Sequence, residues 1–213
     1  MGIGRRRILL FLFIGLWLCA VGVGLKQLWT YEVSAGTAAT PSSEWPGDTQ
    51  IKRQQGQSTL VLLAHPHCPC TRATIGELAI LMAHCQGKVS AYVLFYKPAG
   101  FPDGWQQTDL WQSAANIPGV TVLTDDGGIE AKRFGGATSG QAMLYDENGK
   151  LLFSGGITGS RGHSGDNAGR EAIVSLILNG SADHSTTSVF GCDLLGKDMN
   201  STDKNACPTL KTR

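Results

Sequence analysis

"STLVLLAHPHCPCTRATIGELAILMAH", residues 58–84, decides how the rest of the chain is read. Its first seven residues are an apolar run of strand length, too short for a helix of ordinary size. From Thr71 the spacing changes. Ile75, Leu78, Ala79 and Met82 fall at i, i+3, i+4 and i+7, which predicts a helix over Thr71 to His84 with one apolar face, stopped by Gly87. Between strand and helix, His65 to Thr71 packs two histidines, two prolines and two cysteines into seven positions. Such a junction suits a metal site, a redox site or a small disulfide staple.

Downstream of the junction the same alternation continues. "KVSAYVLFY" predicts a second strand, and Thr108 caps a short helix that ends at Pro118-Gly119. "VTVLT" predicts a third strand and "DDGGIEAKRFGG" a short helix with a glycine stop. "QAMLYDENGKLLFSGG" has the pattern of a hairpin, with Asn148-Gly149 as its turn signal. A glycine-rich loop, "ITGSRGHSGDNAG", precedes a last helix from Arg170 to Leu178. The order β-α-β-α-β-α-β-β-α predicts a mixed α/β sheet flanked by helices, its early strands parallel and its hairpin antiparallel.

The ends of the chain read differently. Arg5, Arg6 and Arg7 precede Ile8 to Leu25, an uncharged run of about 18 residues, long enough for one transmembrane helix. The arginines place residues 1–7 in the cytoplasm and predict a single-pass protein of the cytoplasmic (inner) membrane, its domain in the periplasm or otherwise outside the cytoplasm. A cleaved signal segment, with small residues at Ser34 to Ala39, is the alternative. Residues 26–57 are polar and read as a flexible tether, 58–180 as the folded domain, and 181–213 as a polar tail carrying Cys192 and Cys207. In the 213-residue chain a net charge of +1, without a basic stripe, excludes an electrostatic case for nucleic acid. Outside the cytoplasm, cysteines are read first as disulfides or thiol–disulfide catalysts.

The junction "HCPCTR", the aspartate of "VLTDDGG", the glycines of "FGGATSG" and the hairpin "MLYDENGKLLFSGG" together resemble a thioredoxin-like domain of the redoxin subgroup. "HPHCPCTR" with "GGITGSRGHSGDN" is similar to the membrane-anchored bacterial proteins called RedB-type. The resemblance implies a thioredoxin-like mixed sheet over residues 58–180 and exchange of disulfides with a protein thiol or disulfide partner. Three positions depart from the pattern. One residue, Pro69, separates Cys68 and Cys70 where thioredoxins have two. Ser139-Gly140 stands where thioredoxins have a cis-proline. The peroxidase threonine and proline are replaced by His65 and Val61 counted from Cys68, or by His67 and Leu63 counted from Cys70, which argues against a peroxidase.

By similarity to the thioredoxin order, Cys68 is the attacking thiolate and Cys70 the resolving thiol. A cysteine at a helix N-terminus has its thiolate favoured by unpaired N–H groups and the helix dipole. His67 and Arg72 are expected to add positive charge nearby. A Cys68–Cys70 bridge would close a small, strained ring, a poor staple and a usable oxidant. The rival reading is a copper site, with His65, His67, Cys68 and Cys70 as ligands and a chaperone's role; a redox-dead scaffold is the third. In the thioredoxin-like topology the loop after the hairpin returns toward Cys68, so Arg161 and His163 join the expected site, while Asp166 and Asn167 either join it or cap the last helix. Cys192 and Cys207, separated by 14 residues, read first as a local disulfide worth roughly 3 kcal/mol. The alternative is that Cys192 reaches back to exchange with Cys68. Cys85, His84 and His184 read as packing or surface residues, and Trp105 and Trp111 as packing of the short helix, with the lining of a partner groove as the alternative.

Overall fold

The computed structural model describes residues 3–37 and 39–195. The chain divides into two compact units, with the second beginning at Ala35. The first unit is one helix, α1 (Ile3–Val33). Its stretch Gly4–Val33 is long and apolar enough to cross a membrane, and its large side chains, Leu9, Phe11 and Trp17 among them, are exposed.

The second unit is built on a five-stranded sheet. Its strands are β1 (Ser58–Ala64), β2 (Val89–Lys97), β3 (Val120–Asp126), β4 (Gln141–Tyr145) and β5 (Leu151–Gly156), in the order β3-β2-β1-β4-β5. The first three are parallel, while β4 runs antiparallel to both β1 and β5. Helices α2 (Pro69–His84), α3 (Asp109–Ala115), α4 (Ile129–Arg133) and α5 (Ala168–Asn179) connect or follow them. This is the element order the sequence predicts, and it is a thioredoxin-like arrangement with an apolar N-terminal helix ahead of it.

The apolar run of β1 follows from its central place. Leu60 and Leu62 face a core shared with Ile75, Leu78 and Leu81 of α2 and Ile173 of α5. Val61 and Leu63 face the opposite core, with Phe134, Met143 and Tyr145. A strand buried on both faces has no reason to alternate. At the hairpin, the Asp146 carboxylate accepts from the Asn148 and Lys150 N–H groups at 2.9 and 2.8 Å, and Gly149 takes φ 89°, which a residue with a Cβ rarely adopts.

The second core corrects two expectations about the ends of the domain. Residues 26–57 do not form one tether. Lys26 to Val33 continue α1, and the following segment lies along the sheet unit. Trp45 packs edge-on against Phe134 and Tyr145, with ring centroids 5.0 and 5.2 Å apart, and Ile51 is buried among the same residues. Residues 181–188 are not simply a loose tail either, and the apolar stretch "VFGCDLL" (189–195) that follows is seated with them. Thr186 bridges to Ser154 on β5, Asp193 bridges to Thr138, and Leu194 is 1 % exposed. Pairing along β5 covers what would otherwise be an open sheet edge.

Candidate functional site

The junction of β1 and α2 sets the positions of Cys68 and Cys70. Helix α2 begins at Pro69, two residues before the expected Thr71, because proline at the first helical position loses no hydrogen bond and has its φ already set. Cys68 therefore becomes the N-cap, with φ −85° and ψ 122°, and Cys70 lies in the first turn. The Cys68 N–H donates to the His65 carbonyl at 3.2 Å, and the Thr71 N–H donates to the Cys68 carbonyl at 3.0 Å.

Opposite this turn lies the loop before β4, at the thioredoxin cis-proline position. No peptide bond is cis among the described residues. Ser139 ties the loop to the junction instead: its hydroxyl accepts from the His65 N–H at 2.9 Å and lies 3.0 Å from the Thr71 hydroxyl. The Thr71 hydroxyl also bonds the His65 carbonyl at 3.0 Å.

Onto this loop packs the segment carrying Cys192. The Ser139 N–H donates to the Cys192 carbonyl at 2.8 Å, and the Leu194 N–H donates to the Ala137 carbonyl at 2.7 Å. These are antiparallel bonds around the Thr138–Asp193 bridge. They bring the Cys192 thiol to 2.8 Å from the Cys68 sulfur, across 124 residues of sequence. The Cys207 of the expected Cys192–Cys207 pair lies outside the described residues.

Three sulfurs thus share one site, and their acidities diverge. The thiols of Cys192 and then Cys70 hydrogen-bond to the Cys68 sulfur and pull its pKa well below the ordinary thiol range, against the opposing effect of burial. Cys70 moves the other way. Its hydrogen bond to Cys68, burial and the neighbouring thiolate hold it protonated, and the Arg161 guanidinium offsets this only in part. Arg161 also donates to the Gly191 carbonyl at 2.8 Å, so the same side chain serves Cys70 and the Cys192 segment.

The histidines divide. His65 is buried beside Cys68, stacked near Tyr96 with Trp105 edge-on, and burial lowers its pKa from 6.5 to about 4 despite the nearby thiolate. Its Nδ1 accepts from the His67 N–H at 3.2 Å. The His67 side chain is exposed and lies on Trp105, with ring centroids 4.6 Å apart. Arg72 is likewise spent elsewhere, in an exposed pair with Asp109 at 2.5 Å. Trp105 lines the outside of the junction with the exposed Phe101, whereas Trp111 packs inside against Phe95.

The loop after β5 delivers Arg161 to the site, but among the described residues no hydrogen bond or ion pair joins the exposed His163 side chain to the cysteines. Asn167 caps α5, accepting from the Arg170 N–H at 2.8 Å, and Asp166 pairs with Arg170 at the surface. Beneath them sits Glu77, which the helix pattern does not single out. It is 1 % exposed and accepts from the Gly165 N–H at 2.8 Å, from the Asn167 amide at 3.3 Å and from the Arg170 guanidinium. A carboxylate on the buried side of α2 thus anchors the loop that carries Arg161. Among the described residues, no group of three His, Cys, Asp or Glu side chains is arranged to hold a metal ion. Cys85 is fully buried in the first core, and His84 and His184 are exposed.

No family model matches the sequence, and no curated protein matches it. Solved structures do. An uncharacterised conserved protein from Geobacillus kaustophilus is 20 % identical, with 77 % of this chain and 93 % of that one covered and a TM-score of 0.56. A hypothetical protein from Sinorhizobium meliloti 1021 is 19 % identical over the same shares, with a TM-score of 0.54. The exposed lipoprotein thioredoxin of Streptococcus pneumoniae is 14 % identical, with 66 % and 98 % covered and a TM-score of 0.41. The narrower likeness to RedB-type proteins rests on sequence motifs alone. With three parallel strands, an antiparallel hairpin beside the first, and a cysteine capping the helix that leaves it, the domain has a thioredoxin-like fold.

Proposed function

We propose that this chain is a membrane-tethered thiol–disulfide oxidoreductase that acts on a protein partner outside the cytoplasm. The observation that carries the reading is the Cys68 sulfur, seated at the N-terminus of α2 and hydrogen-bonded by two other thiols. Each of these features favours the thiolate, the form that attacks disulfides. Cys68 is the nucleophile, and one of the two neighbouring thiols completes the exchange. Exposed Phe101, with His67 and Trp105 beside it, gives a partner polypeptide an apolar, aromatic surface next to the cysteine. Arg5 to Arg7, in the first turns of α1 and ahead of its apolar run, favour an N-terminus in the cytoplasm and hence a domain beyond the membrane.

The test uses the full chain in detergent, reduced and then offered insulin as a model protein disulfide. Wild type is expected to reduce it and Cys68→Ser to be inert. Equal rates would refute the reading and leave an inactive scaffold. A reporter fused after Arg213 that is active only in the cytoplasm is expected to be silent, and activity would reverse the topology.

A further inference from the structure

The segment from Ser185 to Leu195 behaves as a strap with a thiol at its working end. It starts on the edge of the sheet, where the Ser154 N–H donates to the Ser185 carbonyl at 3.0 Å and the Thr187 hydroxyl donates to the Gly156 carbonyl at 2.8 Å. It ends on the Ala137–Ser139 loop, with Leu194 buried in the second core. Cys192 lies between these anchors, half-buried above Cys68.

The strap's seat is written into the glycines of the sequence. A Cβ on Gly191 would collide with the Ser139 carbonyl, and one on Gly156 would meet the Ser188 carbonyl. Both approaches need backbone against backbone. The Arg161 bond to the Gly191 carbonyl and the Thr37 hydroxyl bond to Asp193 at 3.0 Å hold the same stretch from its other sides. Hydrogen bonds on both sides of Cys192 therefore fix the segment whose sulfur meets Cys68.

We propose that Cys192 is the thiol that resolves the mixed disulfide formed on Cys68, so that the oxidised protein carries a Cys68–Cys192 bond. This rests on the oxidoreductase reading above and assigns its second cysteine. The sulfurs stand 2.8 Å apart and need to close by roughly 0.8 Å to reach disulfide length. Cys70 is the weaker candidate on geometry. It shares the first turn of α2 with Cys68, one residue away, and their bridge closes a small ring. Its thiol is also held protonated, which makes it slow to attack.

Cys68 is 0 % exposed with the strap in place, so a partner disulfide reaches it only when the strap lifts. The Cys68 thiolate then attacks one partner sulfur. A Cys68–partner bond forms, the partner's own disulfide breaks, and the departing thiolate takes a proton from water. On its return the strap brings Cys192 to the Cys68 sulfur. The Cys68–Cys192 bond forms, the Cys68–partner bond breaks, and the Cys192 proton passes to the second departing sulfur. Two electrons move from the protein's two thiols to the partner disulfide, which leaves as two thiols. A dithiol of another protein restores the reduced state by the reverse exchange.

The experiment oxidises the reduced full chain in detergent with glutathione disulfide, quenches in acid, alkylates, and maps disulfides by mass spectrometry without reduction. Wild type and Cys70→Ser are both expected to yield a Cys68–Cys192 linked peptide pair. Cys192→Ser is expected to accumulate the Cys68–glutathione adduct about tenfold over wild type, because attack proceeds and release does not. Gly191→Ala keeps every cysteine, displaces the strap, and is expected to form the adduct with a reduced yield of the Cys68–Cys192 pair. A Cys68–Cys70 or a Cys192–Cys207 pair in oxidised wild type overturns the assignment, as does unchanged adduct release in Cys192→Ser or an unchanged Cys68–Cys192 yield in Gly191→Ala. Those results leave Cys68 an active thiol. If no variant forms an adduct on Cys68, the oxidoreductase reading itself falls.

Discussion

Removing one hydrogen-bond donor from the Cys68 sulfur should raise its pKa by an amount the structure sets. The Cys192 thiol donates to that sulfur at 2.8 Å and is the largest influence on its acidity. A hydrogen bond to a charged group is worth about 1.5–3 kcal/mol, and 1.36 kcal/mol corresponds to one pH unit. Cys192→Ala should therefore raise the Cys68 pKa by about one to two units. Cys192→Ser keeps an O–H donor at the same place and should recover most of the loss. His67→Ala should give a smaller shift, since the thiol hydrogen bonds are the largest influences on Cys68. The measurement is thiolate absorbance near 240 nm against pH, in a background where Cys19, Cys85 and Cys207 are replaced by alanine. If alanine and serine at position 192 act alike, the donor argument fails. If His67→Ala gives the larger shift, the acidity comes from the imidazole after all.

Glu77→Gln should destabilise the domain by about 3 kcal/mol, the low end for breaking a buried pair, because Arg170 keeps its surface partner Asp166; denaturant unfolding followed by circular dichroism reads it, and a loss under about 1 kcal/mol would show that water reaches the site. His65 titrates near 6.5 when unfolded and at about 4 when folded, so between those values only the unfolded chain takes up its proton. Its contribution is whole above pH 6.5 and falls by about 3 kcal/mol as pH drops to about 4, a decline that His65→Gln should flatten in unfolding curves taken across that window. Reduced protein should hold Cu(I) no more tightly than a simple dithiol, because His67 is turned to Trp105 and the His65 Nδ1 is engaged by a backbone N–H. Tight stoichiometric binding lost in both His67→Ala and Cys70→Ser, followed by competition with a Cu(I) chelator, would make the site a copper site.

The regular part of the fold was legible because its signals are periodic. The apolar run of β1, the i, i+3, i+4 face of α2 and the Asn148-Gly149 turn each constrain a local geometry that the sheet then uses. What covers the second face of the sheet was not legible. Trp45, Ile51 and Leu194 are single apolar residues in polar, irregular stretches, and no period marks them. They become visible only once the sheet presents Phe134 and Tyr145 for them to cover. Glu77 was hidden for the opposite reason. It sits on the buried side of a helix whose pattern was read from its apolar members, and its partners, Gly165, Asn167 and Arg170, are about 90 residues on.

The same distinction explains why the sequence pointed to the reactive cysteine more readily than to its surroundings. Cys68 owes its position to short-range rules: a strand end, a proline at the first helical position, and an N-cap with exposed N–H groups. Its acidity owes more to long-range contact. The neighbours that a linear reading offers, His67 and Arg72, lie against Trp105 and Asp109, and the groups that act most on the sulfur are thiols, one of them 124 residues away. Such a contact leaves only indirect traces in a sequence. Here those traces are the glycines at 156 and 191, each placed where a side chain would push the strap out of register. A cysteine directly after a glycine in a polar tail carries little meaning alone. Seated on the loop at Ser139, it lies against the one sulfur in the domain that a helix N-terminus and two thiols hold ready to react.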